Sequence, residues 1–382
     1  MNFNLTKEQE AVRKMVRKFA ENEVEPIAAE CDKEHKFPWD VAKKMGQYGI
    51  MGIPYPEEYE GAGGDHISYA IAVEELSRVD GSTGVICSAH TSLCTWPIFG
   101  WGTEEQKKKY VPDLASGRKL GAFGLTEPNA GSDAGGQQTV AIEKDDHYVL
   151  NGAKVFITNG GVADTFVIVA MTDKSKGTHG GITAFIVEKG FEGFSIGKTE
   201  DKLGIHASST TELIMQDCIV PKENMLGKVG EGFKVAMTTL DGGRIGIASQ
   251  ALGIAQGAFD KTVEYMKARK QFGKTLSKFQ ALQFEMADMK ARIEASRLLI
   301  YRAANFKDLH QDYSEASAIA KLVAAETAMY VTTKAVQFHG GYGYTADYPV
   351  ERMMRDAKIT EIYEGTSEVQ KIVIANKIFG KK

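Results

Sequence analysis

The chain has 382 residues, 43% hydrophobic and 25% charged, with a net charge of -4 at pH 7. That length favours two or three domains of an ordinary globular protein. The lack of a basic excess sets aside non-specific nucleic-acid binding, and no apolar run approaches the roughly 20 residues that span a bilayer. The polar start MNFNLTKEQE carries no signal-peptide core, so the cytoplasm is the expected location.

Residues 1 to about 120 are predicted helical. Thr6 and Gln9 have capping-box spacing, and Val12, Met15, Val16, Phe19 and Ala20 follow as one apolar stripe. A second helix is expected over Ile67 to Val79, and a third from the box Thr103 to Gln106. The glycine-rich YEGAGGD between them is a loop. Cys31, Cys87, Cys94 and Cys218 are too few for a disulfide framework. Cys87, His90 and Cys94 share a helical face but lack a fourth ligand, which favours buried thiols over a metal site.

From about residue 125 to 230 the pattern turns strand-like, in TFVIVAMTD, GITAFIVEK and TTELIMQDCIVP. A compact β-domain follows from this rather than βαβ units. Residues 233–267, 277–308 and 314–338 carry long helical stripes, and a shorter helix follows Thr366; together they suggest a bundle of about four. Ser367 and Gln370 have S-x-x-Q spacing, which places the start of that last helix near Ser367. Glu364 then sits on the turn leading in, as a base facing a cavity or as a solvated surface carboxylate.

Several fingerprints are missing. No GxGxxG follows a strand, and there is no GxSxG or HExxH. The GKT strings at 197–199 and 273–275 have Glu192 and Ala268 where a P-loop needs glycine.

Five segments carry chemistry. GAFGLTEPNAGSDAGG (121–136) is either a linker or a cradle for a flat polar ring, through its amides and the Thr126 and Ser132 hydroxyls. NGAKVFITNGG (151–161) sets Phe156 and Thr158 on one strand face. ARKQFGKTLSKFQ (268–280) offers Arg269 and Lys270 to a phosphate and Gln280 to an adenine or ribose edge, or is a solvated hairpin. QFHGGYGY (337–344) is a close-approach loop, and Asp241 with Arg244 makes an ion pair or a ligand clamp.

With LTEPNAGSDAG, VFITNGG, TLDGGRIGIA, RKQFGK, QFHGGYGY and RDAKITEIYEGTSEVQ occurring in this order, the chain resembles the acyl-CoA dehydrogenase family over nearly its full length. It looks closest to the bacterial short-chain, or butyryl-CoA, dehydrogenases. The resemblance implies an α+β multidomain fold: an N-terminal helical domain (1–122), a middle β-barrel (123–232) and a C-terminal four-helix bundle (233–382). It implies FAD, with Phe123, Leu125, Thr126, Ser132, Phe156 and Thr158 near the flavin and Thr366 and Glu368 beside it. Arg269, Phe272, Gln280, Gln337, Gly340 and Gly341 would bind the pyrophosphate and adenosine end, partly in a neighbouring subunit's site, so a homotetramer is implied. Ser132, Asp241, Arg244 and Gly365 would line the acyl-CoA path.

Glu364 matches the family's catalytic base. Related subfamilies carry that carboxylate at the position of Gly243. The implied reaction removes the α-proton of butyryl-CoA with Glu364 and passes the β-hydride to flavin N5, giving crotonyl-CoA. Electrons would then pass to electron-transfer flavoprotein. The base needs its pKa raised by burial from about 4.3 to roughly 6 or 7. Alternatives are a crotonyl-CoA reductase in a bifurcating complex, an oxidase, and a non-catalytic acyl-CoA binding protein.

Overall fold

The structure is a computed structural model and describes residues 4–380; residues 1–3 of the predicted first domain and 381–382 of the third lie outside the described residues. Seven helices come first: α1 (Lys7–Phe19), α2 (Glu25–Glu34), α3 (Trp39–Gln47), α4 (His66–Ser77), α5 (Gly81–Ser88), α6 (Trp96–Trp101) and α7 (Glu104–Ala115). Both predicted capping boxes form. Thr6 Oγ1 accepts the Gln9 N–H at 3.2 Å while Gln9 Oε1 accepts the Thr6 N–H at 3.0 Å, and Thr103 with Gln106 repeats this at α7. Asp65 and Asp80 cap α4 and α5. Two π-helical turns, Ala20–Val24 and Ala89–Thr95, have no counterpart in the spacing analysis.

The Cys87–Cys94 face is buried. His90 takes a neutral form there, accepting the Gly121 N–H on Nδ1 at 3.0 Å and donating from Nε2 to Leu114 O at 2.9 Å. Burial pushes it down to about 4. It ties the π turn to the first strand.

Eight strands follow: β1 (Gly121–Gly124), β2 (Val140–Glu143), β3 (His147–Thr158), β4 (Thr165–Met171), β5 (Ile182–Glu188), β6 (Phe194–Thr199), β7 (Thr210–Pro221) and β8 (Met225–Leu226). They form one mixed sheet, ordered β6-β7-β3-β2-β4-β5-β8, with β1 parallel to β4. Strands far apart in this order touch through their side chains. Phe166 of β4 meets Phe194 of β6 at 4.8 Å, and Tyr148 of β3 meets Phe185 of β5 at 5.0 Å between ring centroids. The sheet therefore wraps its own core of Leu150, Phe166, Ile168, Phe185, Val187 and Leu213, as a barrel does.

The helices after the sheet are α8 (Gly232–Ala268), α9 (Gln280–Asp308), α10 (Ser314–His339), α11 (Val350–Ile359) and α12 (Ser367–Phe379). The stripe predicted from 277 starts at Gln280 instead, because Leu276–Lys278 forms a 3-10 turn after a two-residue hairpin. Helix α8 packs against α4, α5, α9, α10 and α11 and is buried on most sides. Glycine permits this: a Cβ at Gly257 would collide with the Arg78 carbonyl, and one at Gly253 with that of Glu74. Alanines dominate the opposing face of α10, including Ala320, Ala324 and Ala328. No helix among the described residues is long and apolar enough to cross a membrane.

Candidate active site

Sheet, α8 and the turn between α11 and α12 meet around a cavity of about 180 Å³. Phe123 comes from β1, and Leu125, Thr126 and Ser132 from the loop after it. Phe156 and Thr158 come from the end of β3. Helix α8 adds Met237, Leu240 and Arg244, the π turn adds Leu93, and the last turn adds Tyr363, Glu364 and Gly365. The predicted ring-cradle loop, the FIT strand and the Glu364 turn thus share one wall.

Phe156 has φ +60 and stays 64% exposed, at a point where the β3–β7 register slips. A left-handed aromatic residue costs on the order of 1–2 kcal/mol, so the strand sacrifices regularity to aim this ring. Among the described residues the Thr126, Ser132 and Thr158 side chains make no hydrogen bond to the rest of the chain.

Glu364 has φ +52 and Gly365 φ +91. Two helices hold this turn through one carbonyl: Gln370 Nε2 of α12 and Lys321 Nζ of α10 each donate to Gly365 O at 2.8 Å. The predicted capping box is corrected here. Thr366 is the N-cap, its hydroxyl accepting the Val369 N–H at 3.3 Å, and Ser367 is the first helical residue. Gln370 cannot close a box at Ser367 because its amide points back to the carbonyls of Glu364 and Gly365.

Glu364 lies on the cavity wall, half-buried rather than fully exposed. Its Oε2 is buried without a hydrogen-bond partner. Burial pushes the carboxyl group up to about 8, against the pull of Lys321 and Arg244. A Cβ at Gly243 would collide with this same Oε2 and stand 2.7 Å from Leu93 Cδ2. Position 243 therefore faces the Glu364 carboxyl group, and only glycine leaves it room.

Asp241 and Arg244 form an ion pair at 2.5 Å, and Ser314 Oγ donates to Asp241 at 3.0 Å. Burial raises the Asp241 pKa and lowers that of Arg244. Arg244 reaches the cavity wall; Asp241 stands behind it.

The other predicted binding residues lie elsewhere. Arg269, Gln337, Gly340 and Gly341 line a separate cleft of about 490 Å³, where the Arg269 guanidinium sits 5.7 Å from the Tyr342 ring centre. Phe272 is 93% exposed at the hairpin tip. Gln280 is exposed at the start of α9, and Glu368 on the first turn of α12. Neither cleft includes Phe272, Gln280, Thr366 or Glu368.

The acyl-CoA dehydrogenase N-terminal, middle and C-terminal domain models match residues 6–118, 122–218 and 230–379. The chain belongs to the acyl-CoA dehydrogenase family. A short-chain specific acyl-CoA dehydrogenase of Clostridium acetobutylicum is 69% identical over 99% of this chain and 100% of its own. The butyryl-CoA dehydrogenase structure from Megasphaera elsdenii superimposes with a TM-score of 0.97 at 54% identity, covering 99% of this chain and 100% of that one. A chain from a structure described as the electron transferring flavoprotein of Acidaminococcus fermentans gives a TM-score of 0.99 at 58% identity, with 100% of each chain covered.

An acyl-CoA dehydrogenase is an FAD-dependent oxidoreductase acting on CH–CH groups. The residues present fit that cofactor: three unpaired hydroxyls, an exposed aromatic ring and an orphaned carboxyl oxygen converge on one largely apolar cavity. Sequence reasoning missed the supports behind them. Lys321 braces the Glu364 turn, and Lys154 braces the cradle loop. Tyr363 donates to Gln250 Oε1 and flanks Glu364. Their positions show only in the folded contacts.

Proposed function

We propose that this enzyme desaturates short-chain acyl-CoA thioesters, butyryl-CoA to crotonyl-CoA being the simplest case, with Glu364 as the base. The observation that carries this reading is Glu364, half-buried on the cavity wall with Oε2 buried and unpartnered, its carboxyl group raised to about 8. A carboxylate with a raised pKa is a stronger base toward the weakly acidic α-carbon. When bound, FAD supplies the acceptor for the β-hydride. The ring end would rest on Phe123, Leu125, Thr126, Ser132, Phe156 and Thr158, with Thr366 and Glu368 beside it. Ser132, Arg244 with its partner Asp241, and Gly365 would guide the thioester.

The Glu364 N–H has no acceptor among the described residues and would donate to the thioester oxygen as charge develops there. One such donor is worth on the order of 3–4 kcal/mol in a dry site. Leu93, Met237 and Leu240 supply an apolar wall that excludes water around a short acyl chain. Arg269, Phe272, Gln280, Gln337, Gly340 and Gly341 would serve the pyrophosphate and adenosine end of a neighbouring subunit's FAD, in a homotetramer. Exposed Phe272 and Tyr344, at 93% and 86%, support a second copy covering this face. The division into domains at 1–122, 123–232 and 233–382 belongs to the same reading.

Glu364→Gln tests it. The variant should keep FAD and bind acyl-CoA but lose turnover by roughly 100-fold or more. Retention of more than about a tenth of the wild-type rate removes Glu364 as the base.

A second reading runs the reaction backwards, as a crotonyl-CoA reductase exchanging electrons with electron-transfer flavoprotein. The near-identical fold in the structure described under electron bifurcation favours it. Rates in both directions over a chain-length series, with an artificial electron mediator, separate the two.

A further inference from the structure

The inference here rests on Glu364 as the base and concerns what sets its behaviour. Lys321 sits in the first third of α10 with no exposed surface. A buried ammonium group is costly to desolvate and is normally balanced by a close carboxylate. Its hydrogen bond goes instead to a neutral acceptor, Gly365 O at 2.8 Å. That carbonyl belongs to the residue after Glu364 and is held from the other side by Gln370 Nε2, also at 2.8 Å. Both turn residues have positive φ, +52 and +91, so the turn depends on outside support to keep this shape. Glu364 Oε2 is left unpartnered. The lysine thus lends its charge to the base without occupying the oxygen that must take the proton.

We propose that Lys321 is the positioning residue for the Glu364 base: its ammonium group pins the Gly365 carbonyl, fixing the carboxylate's direction, and its charge sets the pH at which that carboxylate becomes available. The electrostatics agree. Burial raises Glu364, and Lys321 is the larger of the two cations drawing it back, Arg244 of α8 being the other. Burial pushes Lys321 itself down to about 8, opposed by Glu364, helped by Arg244, and further opposed by Glu361 and Glu368. Tyr69 of α4 and Tyr363 also feel the Glu364 charge, and both stay protonated, raised by burial.

Lys321→Met and Lys321→Gln, prepared as flavin-loaded enzyme, test this. Methionine removes charge and donor; glutamine keeps a donor without the charge. The pH profile of kcat/KM is measured, together with an infrared titration of the buried carboxyl band, assigned by its loss in Glu364→Gln. In both variants the acid limb and the carboxyl band should move up by about one pH unit, costing about tenfold in kcat/KM at a fixed pH below the limb. Lys321→Gln should recover most of the high-pH plateau that Lys321→Met loses. A limb and band that stay in place in both variants overturn the proposal even if the rate falls, because lost rate alone is what a purely structural lysine gives. If methionine prevents folding, the glutamine variant decides. Failure of the base reading is distinct: Glu364→Gln would remain active while the carboxyl band of the lysine variants still shifted.

Discussion

A buried carboxyl group with no partner is a liability to the folded chain as well as a chemical asset. Glu364 is raised from an ordinary 4.5 to about 8, so the native state holds its proton where the unfolded chain releases it. The contribution is therefore greatest below about pH 4.5 and is lost as pH rises toward 8. Lys321, depressed from 10.5 to about 8, works in a separate window above pH 8. Glu364→Gln should consequently melt at nearly the wild-type temperature at about pH 5 and a few degrees above it at about pH 8, by differential scanning fluorimetry. A difference that stays flat between those values would show that the carboxyl group titrates normally. Glu364 could be singled out in the sequence because it stands on a turn before a cap and inside a family string. Lys321 could not: in ASAIAKLVAAE it is one polar residue in a helix, and its burial is created by α8 and a turn more than forty residues away.

The loop after β1 shows how one strand organises a wall of the Glu364 cavity. Lys154 projects inward from β3 and donates to Glu127 Oε1 at 2.6 Å, Gln137 Oε1 at 2.5 Å and Leu125 O at 3.3 Å. Glu127 in turn accepts the N–H groups of Gln138 and Thr139 at 2.6 and 3.1 Å. Burial disfavours the Glu127 charge, but Lys154 and these donors hold its pKa below the ordinary value, while burial pushes Lys154 down to about 8. Breaking a buried pair from one side costs about 3–5 kcal/mol, because the survivor is left charged and unpaired. Lys154→Met should lower the melting temperature and the flavin-to-protein absorbance ratio after gel filtration. Adding Glu127→Leu should restore stability without restoring flavin; an unchanged ratio in the single variant would deny the loop its link to the cofactor. At this scale much was legible. The capping boxes and β-branched runs are local signals, and the helices and strands appear where they point. The order β6-β7-β3-β2-β4-β5-β8 and the π turns are not local, since they depend on which strands and helices meet.

Across the whole molecule, most of the predicted binding residues fall into two groups that share no cavity wall: the Glu364 cavity, and the outward-facing Arg269–Gly341 cleft. One extended cofactor served by both groups of the same chain would need them to be continuous. The arrangement we propose pairs the Glu364 cavity of one subunit with the Arg269 cleft of another. Complementation distinguishes the two possibilities. Arg269→Ala should weaken FAD retention in the neighbour's site and leave the Glu364 environment intact, while Glu364→Gln disables only its own cavity. In a mixed dimer of these variants, the subunit with Glu364 receives Arg269 from its partner and has a complete site; the other site lacks both. Random pairing makes half the dimers mixed with one good site each, or about a quarter of wild-type sites. Co-expressed variants should therefore recover flavin-dependent turnover toward that fraction, while either variant alone stays low. If Arg269 served the cavity of its own chain, no mixed dimer would contain a complete site, and co-expression would recover nothing.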